Sequence, residues 1–273
     1  MFIAGYSVED GKTVASIGNV PEADYTSKLS ATALNGAPVG IYGAGWRTEA
    51  LLQETKVLYA ATLEELKRRG KVLVEDPFAG SGFADLADNS GGHDGRGMES
   101  VVYDMEQFLR RFGDASAVNS VASLKAKVKI DPFSKDGPGG IIADMPLLQK
   151  SLQDPTQPPD LSQFLAARRA YLKTFNAGLA KHNLDVLTFP QTAADLPPVT
   201  GKNLYPATTV SEINIAGLPG IAVPAGQYAS GAPFSLIFIG PMWSESTLLG
   251  YCFDYEQATG QRIVPQLVEV PFE

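Results

Sequence analysis

The sequence is poor in the residues that cross-link, ligate metals or anchor a chain in lipid. Its 273 residues include one cysteine, Cys252, and two histidines, His93 and His182. A single thiol forbids any internal disulfide, and its place on an apolar helical face reads as a buried structural thiol in a reducing compartment. Neither histidine sits in a cluster of Cys, Asp and Glu at metal-ligand spacing, so no metal is expected, and nothing implies an organic cofactor. No apolar run is long enough to span a bilayer, and the first residues lack a basic stretch followed by an apolar core. Positive charge is also scarce: 22 Lys and Arg stand against 30 Asp and Glu, a net charge of -8. The basic residues are scattered, which argues against nucleic acid or an anionic membrane as partner, since phosphate binding needs a concentrated positive surface. A cytoplasmic location is the expectation, although any targeting segment could lie upstream if Met1 falls inside a longer ancestral protein.

Apolar residues, by contrast, make up 44% of the chain, enough for a substantial core in one large domain. Pro38 to Tyr42 reads as a strand and Thr48 to Arg69 as a helix, with Leu51, Leu52, Val57, Leu58, Ala61 and Leu66 inward and Gly70 as its stop. Lys71 to Val74 follows as a second strand. Such a βαβ unit predicts a right-handed crossover and parallel pairing. Met98 to Phe112 and Leu161 to His182 read as helices, the latter feeding a strand from Asp185 to Phe189. Pro77 to Arg96, with NSGGHDGRG at its centre, and Pro132 to Pro159, rich in proline and glycine, read as loops.

The most informative stretch is Asn214 to Gly226, NIAGLPGIAVPAG. Gly217 and Gly220 bracket Leu218-Pro219, so the backbone turns sharply and then enters a short buried strand that Pro224 closes. Phe234 to Ile239 supplies a second strand, ended by Gly240-Pro241. Ser244 is placed to cap a helix with Leu248, Leu249, Cys252, Phe253 and Ala258 at near-helical spacing and Gly260 past its end. Each piece occurs in many folds. The order, LDVLTFPQTA at Leu184 to Ala193, then NIAGLPG, VPAG, GAP, an apolar strand and FDYEQATGQR, resembles the C-terminal half of the amidase signature hydrolases. Phe2 to Thr13, FIAGYSVEDGKT, is similar to the segment that follows that family's signature region, with Asp10 and Thr13 as landmarks, and Asp24 to Trp46 looks like the next piece.

The resemblance implies an α/β fold, a three-layer αβα sandwich with a mixed, mainly parallel sheet, and residues 1–273 as a single portion of an amidase domain. It also implies cleavage of carboxamide C–N bonds by a serine, activated through a second serine by a lysine, with a Gly/Ser-rich loop donating to the oxyanion. No run in this sequence resembles that loop, and the family's triad lies upstream of the segment matched here. No catalytic residue is therefore assigned. Carried over by motif, Pro190, Gln191, Thr192 and Asn214 are the expected substrate-binding positions, although Thr192 and Asn214 also suit plain turn chemistry. The expected role is a C-terminal portion that contributes pocket and scaffold and is inactive alone. Two alternatives stand beside it: one polypeptide of a two-chain amidase, and a non-catalytic binding protein derived from an amidase. The partners implied are a small amide substrate once a catalytic half is present, and an N-terminal-half chain or a second copy.

Local look-alikes carry less. Ala79-Gly80-Ser81-Gly82 lacks the spacing of a nucleophile elbow. Asp85, Asp88 and Asp94 lack the alternate-position pattern of a calcium loop. Trp243 reads as a packing anchor rather than a pocket wall.

Overall fold

The computed structural model describes residues 5–21, 24–43, 50–69, 71–88, 100–140, 143–144, 146–198 and 205–264. They divide into two compact units, one of Met1–Ala84, Lys173–Ile213 and Gly217–Glu273, the other of Asp85–Leu172 and Asn214–Ala216. The first unit holds a five-stranded sheet built from β1 (Val39–Ile41), β2 (Leu73–Glu75), β3 (Leu187–Pro190), β4 (Gly220–Gln227) and β5 (Pro233–Ile239), in the order β2-β1-β3-β5-β4. β1 pairs in parallel with β2 and β3, and β5 pairs antiparallel with β3 and β4. Four strands thus run one way and β5 alone runs back, which makes the sheet mixed and mainly parallel.

The expected βαβ unit is present: helix α1 (Gln53–Arg68) joins β1 to its parallel neighbour β2. Helix α7 (Glu245–Thr259) lies over β4 and β5, where Tyr255 meets Phe238 with ring centroids 5.9 Å apart. On the opposite side of β5, Ile237 shares a face with its partner Phe189. There Phe189 meets Tyr42 edge-on, Tyr42 approaches Phe78, and Phe78 stacks on Phe175 of helix α6 (Ser162–His182). Helices therefore cover both faces, a three-layer αβα arrangement. Where β4 begins, a Cβ at Gly220 would lie 2.8 Å from the Ile213 Cδ1 methyl and 3.0 Å from that of Ile237, so a larger residue there makes those side-chain ends shift. Gly260 ends α7 with φ 57°, the left-handed cap in which glycine is unstrained, as its position after the last periodic residue predicts.

The second unit is helical, made of α3 (Val101–Arg110), α4 (Val121–Lys127), α5 (Pro146–Gln153) and the N-terminal part of α6. Val102, Leu109, Val121, Phe133 and Leu148 form its core. Glu106 is buried there, accepting from Val121 N at 2.8 Å and from Arg110 Nε at 2.9 Å. A buried carboxylate is tolerable only with such partners.

Three expectations need correcting. The inward face of α1 is Thr55, Tyr59, Thr62 and Leu66, whereas Leu52 and Val57 are exposed. Hydroxyl residues hold this face because each finds an acceptor or donor: Thr62 Oγ1 donates to Leu58 O at 2.7 Å, and Tyr59 OH donates to Thr188 O. Next, the stretches read as loops contain α2 (Phe83–Asp88) and α5, helices of fewer than three turns whose period is too brief to stand out. Finally, Ser244 precedes α7 without a side-chain cap, and its hydroxyl is buried with no partner among the described residues. A Cβ at Gly240 would lie 2.3 Å from Ser244 Oγ, so the hydroxyl is tucked against the strand end rather than turned to the helix.

The end of α1 and α7 are tied by Asp254, which is fully buried. It accepts from Leu34 N at 2.8 Å and from Arg69 Nη2 at 3.0 Å. Asp254→Ala strands both donors and is expected to destabilise the sheet unit by about 3 kcal/mol in urea unfolding. Burial also pushes the Cys252 thiol and the Tyr255 hydroxyl each up to about 12. The fold holds both protonated, while the unfolded chain releases those protons near their ordinary values of about 8.5 and 10. Their contribution to stability is thus full below about pH 8.5 and is lost as pH rises toward about 12. Equilibrium unfolding should weaken steadily across that window, and native Cys252 should resist alkylation at pH 8 until denaturant is added.

Candidate functional site

In open α/β sheets, ligands bind beyond the carboxyl ends of the parallel strands, where chain leaves the sheet in diverging directions. Here β1 and β3 end side by side, with Ile41 opposite Thr188. Tyr42 follows the first strand and Gln191-Thr192 the second. The Tyr42 hydroxyl donates to Glu212 Oε1 at 2.6 Å, and both residues are buried. Glu212 lies in a π-helical turn, Ser211–Ile215, a rare geometry that concentrates at functional sites. The turn closes with Leu218 N donating to Glu212 O at 3.0 Å, and Pro219 O accepts from Gly240 N, so the segment leaves this end of the sheet and reaches the amino end of β3, where β4 begins.

Gln191 is half-buried. Its backbone N–H continues the sheet to Ser235 O at 2.9 Å, and its carbonyl accepts from Thr208 N and Thr208 Oγ1. The side-chain amide hydrogen-bonds the Tyr205 hydroxyl, whose pKa is nevertheless raised because burial outweighs that bond. Gln191 Oε1 is buried with no donor among the described residues. Thr192 turns to the interior, where its hydroxyl meets Tyr228 OH at 3.1 Å, and Tyr228 OH meets Thr55 Oγ1 at 3.0 Å. All three are buried, so this chain of hydroxyls is closed off from solvent.

Of the positions expected from the sequence, Pro190, Gln191 and Thr192 therefore stand in a row at the end of β3. Pro190 is buried opposite Leu236 and offers only its carbonyl, which Thr208 Oγ1 occupies. Gln191 is the member with an open polar atom. Asn214 belongs to the helical unit, and its side chain is exposed. Tyr42, Tyr205, Glu212 and Tyr228 are not among the positions the sequence points to. The one available signal was an acid at Glu212 next to the apolar Ile-Asn-Ile-Ala run; its partner lies 170 residues away.

The look-alikes resolve locally. Ser81 donates to Phe78 O at 2.6 Å and accepts from Phe83 N, which is turn chemistry. Asp10 and Thr13 close an N-terminal turn, Thr13 Oγ1 donating to Asp10 O at 2.7 Å. His93 and Asp94 lie outside the described residues. Trp243 is 38% exposed with φ 67°, so it does not pack fully, and it follows the end of β5, which is level with Leu187 at the amino end of β3.

Fold and site together define an α/β protein with an open mixed sheet, polar groups gathered at the strand ends where such folds hold ligands. The chain belongs to the amidase family, whose sequence pattern matches residues 3–249. It is 25% identical to a glutamyl-tRNA(Gln) amidotransferase subunit from Acinetobacter baylyi, over 94% of this chain and 51% of that protein. The protein of the same name from Roseobacter denitrificans is 50% identical over a segment covering 20% of this chain and 11% of that protein. Among solved structures, the peptide amidase of Stenotrophomonas maltophilia superposes with a TM-score of 0.65 at 26% identity, over 96% of this chain and 51% of that one. The chain spans about half the length of the curated relatives it matches.

The hydroxyl chain at the end of β3 yields a direct expectation. Tyr228→Phe leaves Thr55 and Thr192 without their shared partner and should lower stability by about 2 kcal/mol in urea unfolding. Adding Thr192→Val to that variant should cost less than the sum of the two single changes.

Proposed function

We propose that this chain is the C-terminal portion of an amidase-type hydrolase of carboxamide C–N bonds, supplying pocket and scaffold while the serine, second serine and lysine come from the other half of the domain. The observation that carries this reading is the family match over residues 3–249 at about half the relatives' length. Gln191 supports it chemically. A buried carbonyl oxygen without a donor among the described residues, at the carboxyl end of β3, is suited to accept a substrate carboxamide N–H, and a bond made there orients the scissile group without performing the reaction.

The lysine chemistry points the same way. Lys71 is buried, and burial pulls its pKa down, as a lysine base requires. Yet its ammonium pairs with Asn35 Oδ1 at 3.2 Å, and it precedes β2, at the end of the sheet opposite the strand termini that bear Gln191. Its partner is an amide rather than a serine. A serine hydroxyl without a positioned base is a poor nucleophile, and the rate loss amounts to many orders of magnitude.

A two-chain arrangement, with the catalytic half on a separate polypeptide, is the second reading; in the Acinetobacter relative the match covers 51% of one subunit, and the remaining length belongs to the same polypeptide. Among the described residues no helix is long and apolar enough to cross a membrane. A cytoplasmic setting accords with the single buried thiol.

The purified chain should release no ammonia from benzamide or acetamide above the uncatalysed background; turnover by the chain alone would overturn the assignment. In an enzyme completed with a catalytic half, Gln191→Leu should raise KM for a primary amide about tenfold with little change in kcat, the signature of lost ground-state binding.

A further inference from the structure

We infer that the substrate of this site is a cationic amide, one whose side chain carries an ammonium or guanidinium group, and that the Asp76 carboxylate is the residue that reads the charge. The inference deepens the reading of Gln191 as an amide-binding residue and rests on it.

Asp76 stands immediately after β2, at the end of the sheet that also bears Tyr42 and Gln191. Glu75 is level with Ile41, and Ile41 with Thr188, so Asp76 leaves the sheet two strands away from the one that runs on into Gln191. With strands about 4.8 Å apart and about 3.3 Å of rise per residue, the two backbone positions are roughly 12 Å apart. Both side chains shorten that gap. What remains suits a substrate with its carboxamide at one end and a long side chain reaching the other.

The backbone at Asp76 is unusual. Its φ is 46°, in the left-handed region, although Pro77 follows and a residue before proline is ordinarily extended. The conformation is held from both sides: Asp76 N donates to Ile41 O at 2.9 Å, its carbonyl accepts from Ala79 N at 3.1 Å, and Pro77 and Phe78 are buried. The effect is on direction. A Cβ placed on Gly43 would lie 2.8 Å from Asp76 Cγ and 3.0 Å from Asp76 Oδ2, so the carboxylate occupies room that only a glycine after β1 leaves. It therefore lies across the end of β1, on the side of β2 that faces β3 and Gln191. Departures of this kind gather where a side chain has to be aimed.

Neither the turn nor the packing calls for a charge. Asparagine has the same shape as aspartate and enters the left-handed region as readily. Asp76 is half-buried, and its carboxylate has no hydrogen bond or ion pair among the described residues. The other open polar atom at this end, Gln191 Oε1, is an acceptor as well. Acceptors at both points call for donors on the ligand: an amide N–H at Gln191 and a cation at Asp76. An anionic side chain would be repelled, and a neutral one would leave the carboxylate unmatched.

The test is an NMR titration of the purified chain with N-acetyl-L-argininamide and with its uncharged counterpart, N-acetyl-L-norleucinamide. The arginine amide should bind about tenfold more tightly and shift the backbone signals of Gly43 and Asp76 together with the Gln191 side-chain amide. The norleucine amide should shift the Gln191 signal without those of Gly43 and Asp76. Asp76→Asn keeps the shape and the left-handed turn and should bring the two affinities to within about twofold. If that variant fails to fold, the Gly43 and Asp76 shifts in the unmodified chain decide by themselves. Equal affinities in the unmodified chain, or a preference that survives Asp76→Asn, would overturn the substrate class and leave the amide-site reading in place. Binding of neither amide would overturn it too. The reading of Gln191 fails on different grounds, if Gln191→Leu leaves both affinities unchanged.

Discussion

The placement of β5 is the constraint on which the rest of the sheet depends. It is the strand that runs against the others, and it is packed between β3 and β4 with both faces covered. Phe234, Leu236, Phe238 and Ile239 are fully buried, each such side chain worth about 1.5 to 3 kcal/mol of transfer free energy. A tight turn, with Tyr228 N donating to Ala232 O and Gly231 at φ 92°, sends the chain from β4 straight back into this slot. With β5 beside β3, β4 runs parallel to β3 at the edge, and in this register the turn before it lies level with Leu187 at the amino end of β3, while Tyr228 after it meets Thr192 at the carboxyl end. The segment that holds the π-helical turn and Glu212 thus runs from Thr208, bonded to Gln191 O, back to Pro219, bonded to Gly240 N.

Much of this unit could be read from residues in order along the chain. The strand, helix and strand of β1, α1 and β2 have local periodicity, and so has the pair β4 and β5 with its glycine and proline punctuation. What could not be read was which groups meet across long separations. The inward face of α1 illustrates the limit: an apolar-only pattern picks Val57, yet Thr55 and Tyr59 are buried because Tyr228 and Thr188, far along the chain, supply their hydrogen bonds. Tyr42 and Glu212 were invisible for the same reason. In the helical unit the elements are short, and Glu106, a charged residue by composition, is a core residue because Val121 N and Arg110 satisfy it.

The site divides along the same line. Thr192 and Pro190 follow β3 in sequence and were natural candidates, but their polar atoms are spent on Tyr228 and Thr208. Tyr42 and Glu212 are likewise committed to one another. These contacts make a rigid frame, and a rigid frame is what holds neighbouring groups in fixed directions. Gln191 differs from its neighbours in geometry alone: its backbone belongs to the sheet while its side chain turns out toward Tyr205, which leaves an oxygen to spare. Residue type did not distinguish it from Thr192. Direction did.

A long uncharged edge strand such as β4 invites pairing with other chains. The strand limits that liability along part of its length, where Pro224 offers no donor and the register shift between Pro224 and Gly226 breaks the ladder. In the run Gly220 to Val223 the ladder with β5 turns only the N–H groups of Gly220 and Ala222 outward, too few to hold an arbitrary extended peptide against its conformational entropy. The net charge of -8 adds a general repulsion between copies of the chain.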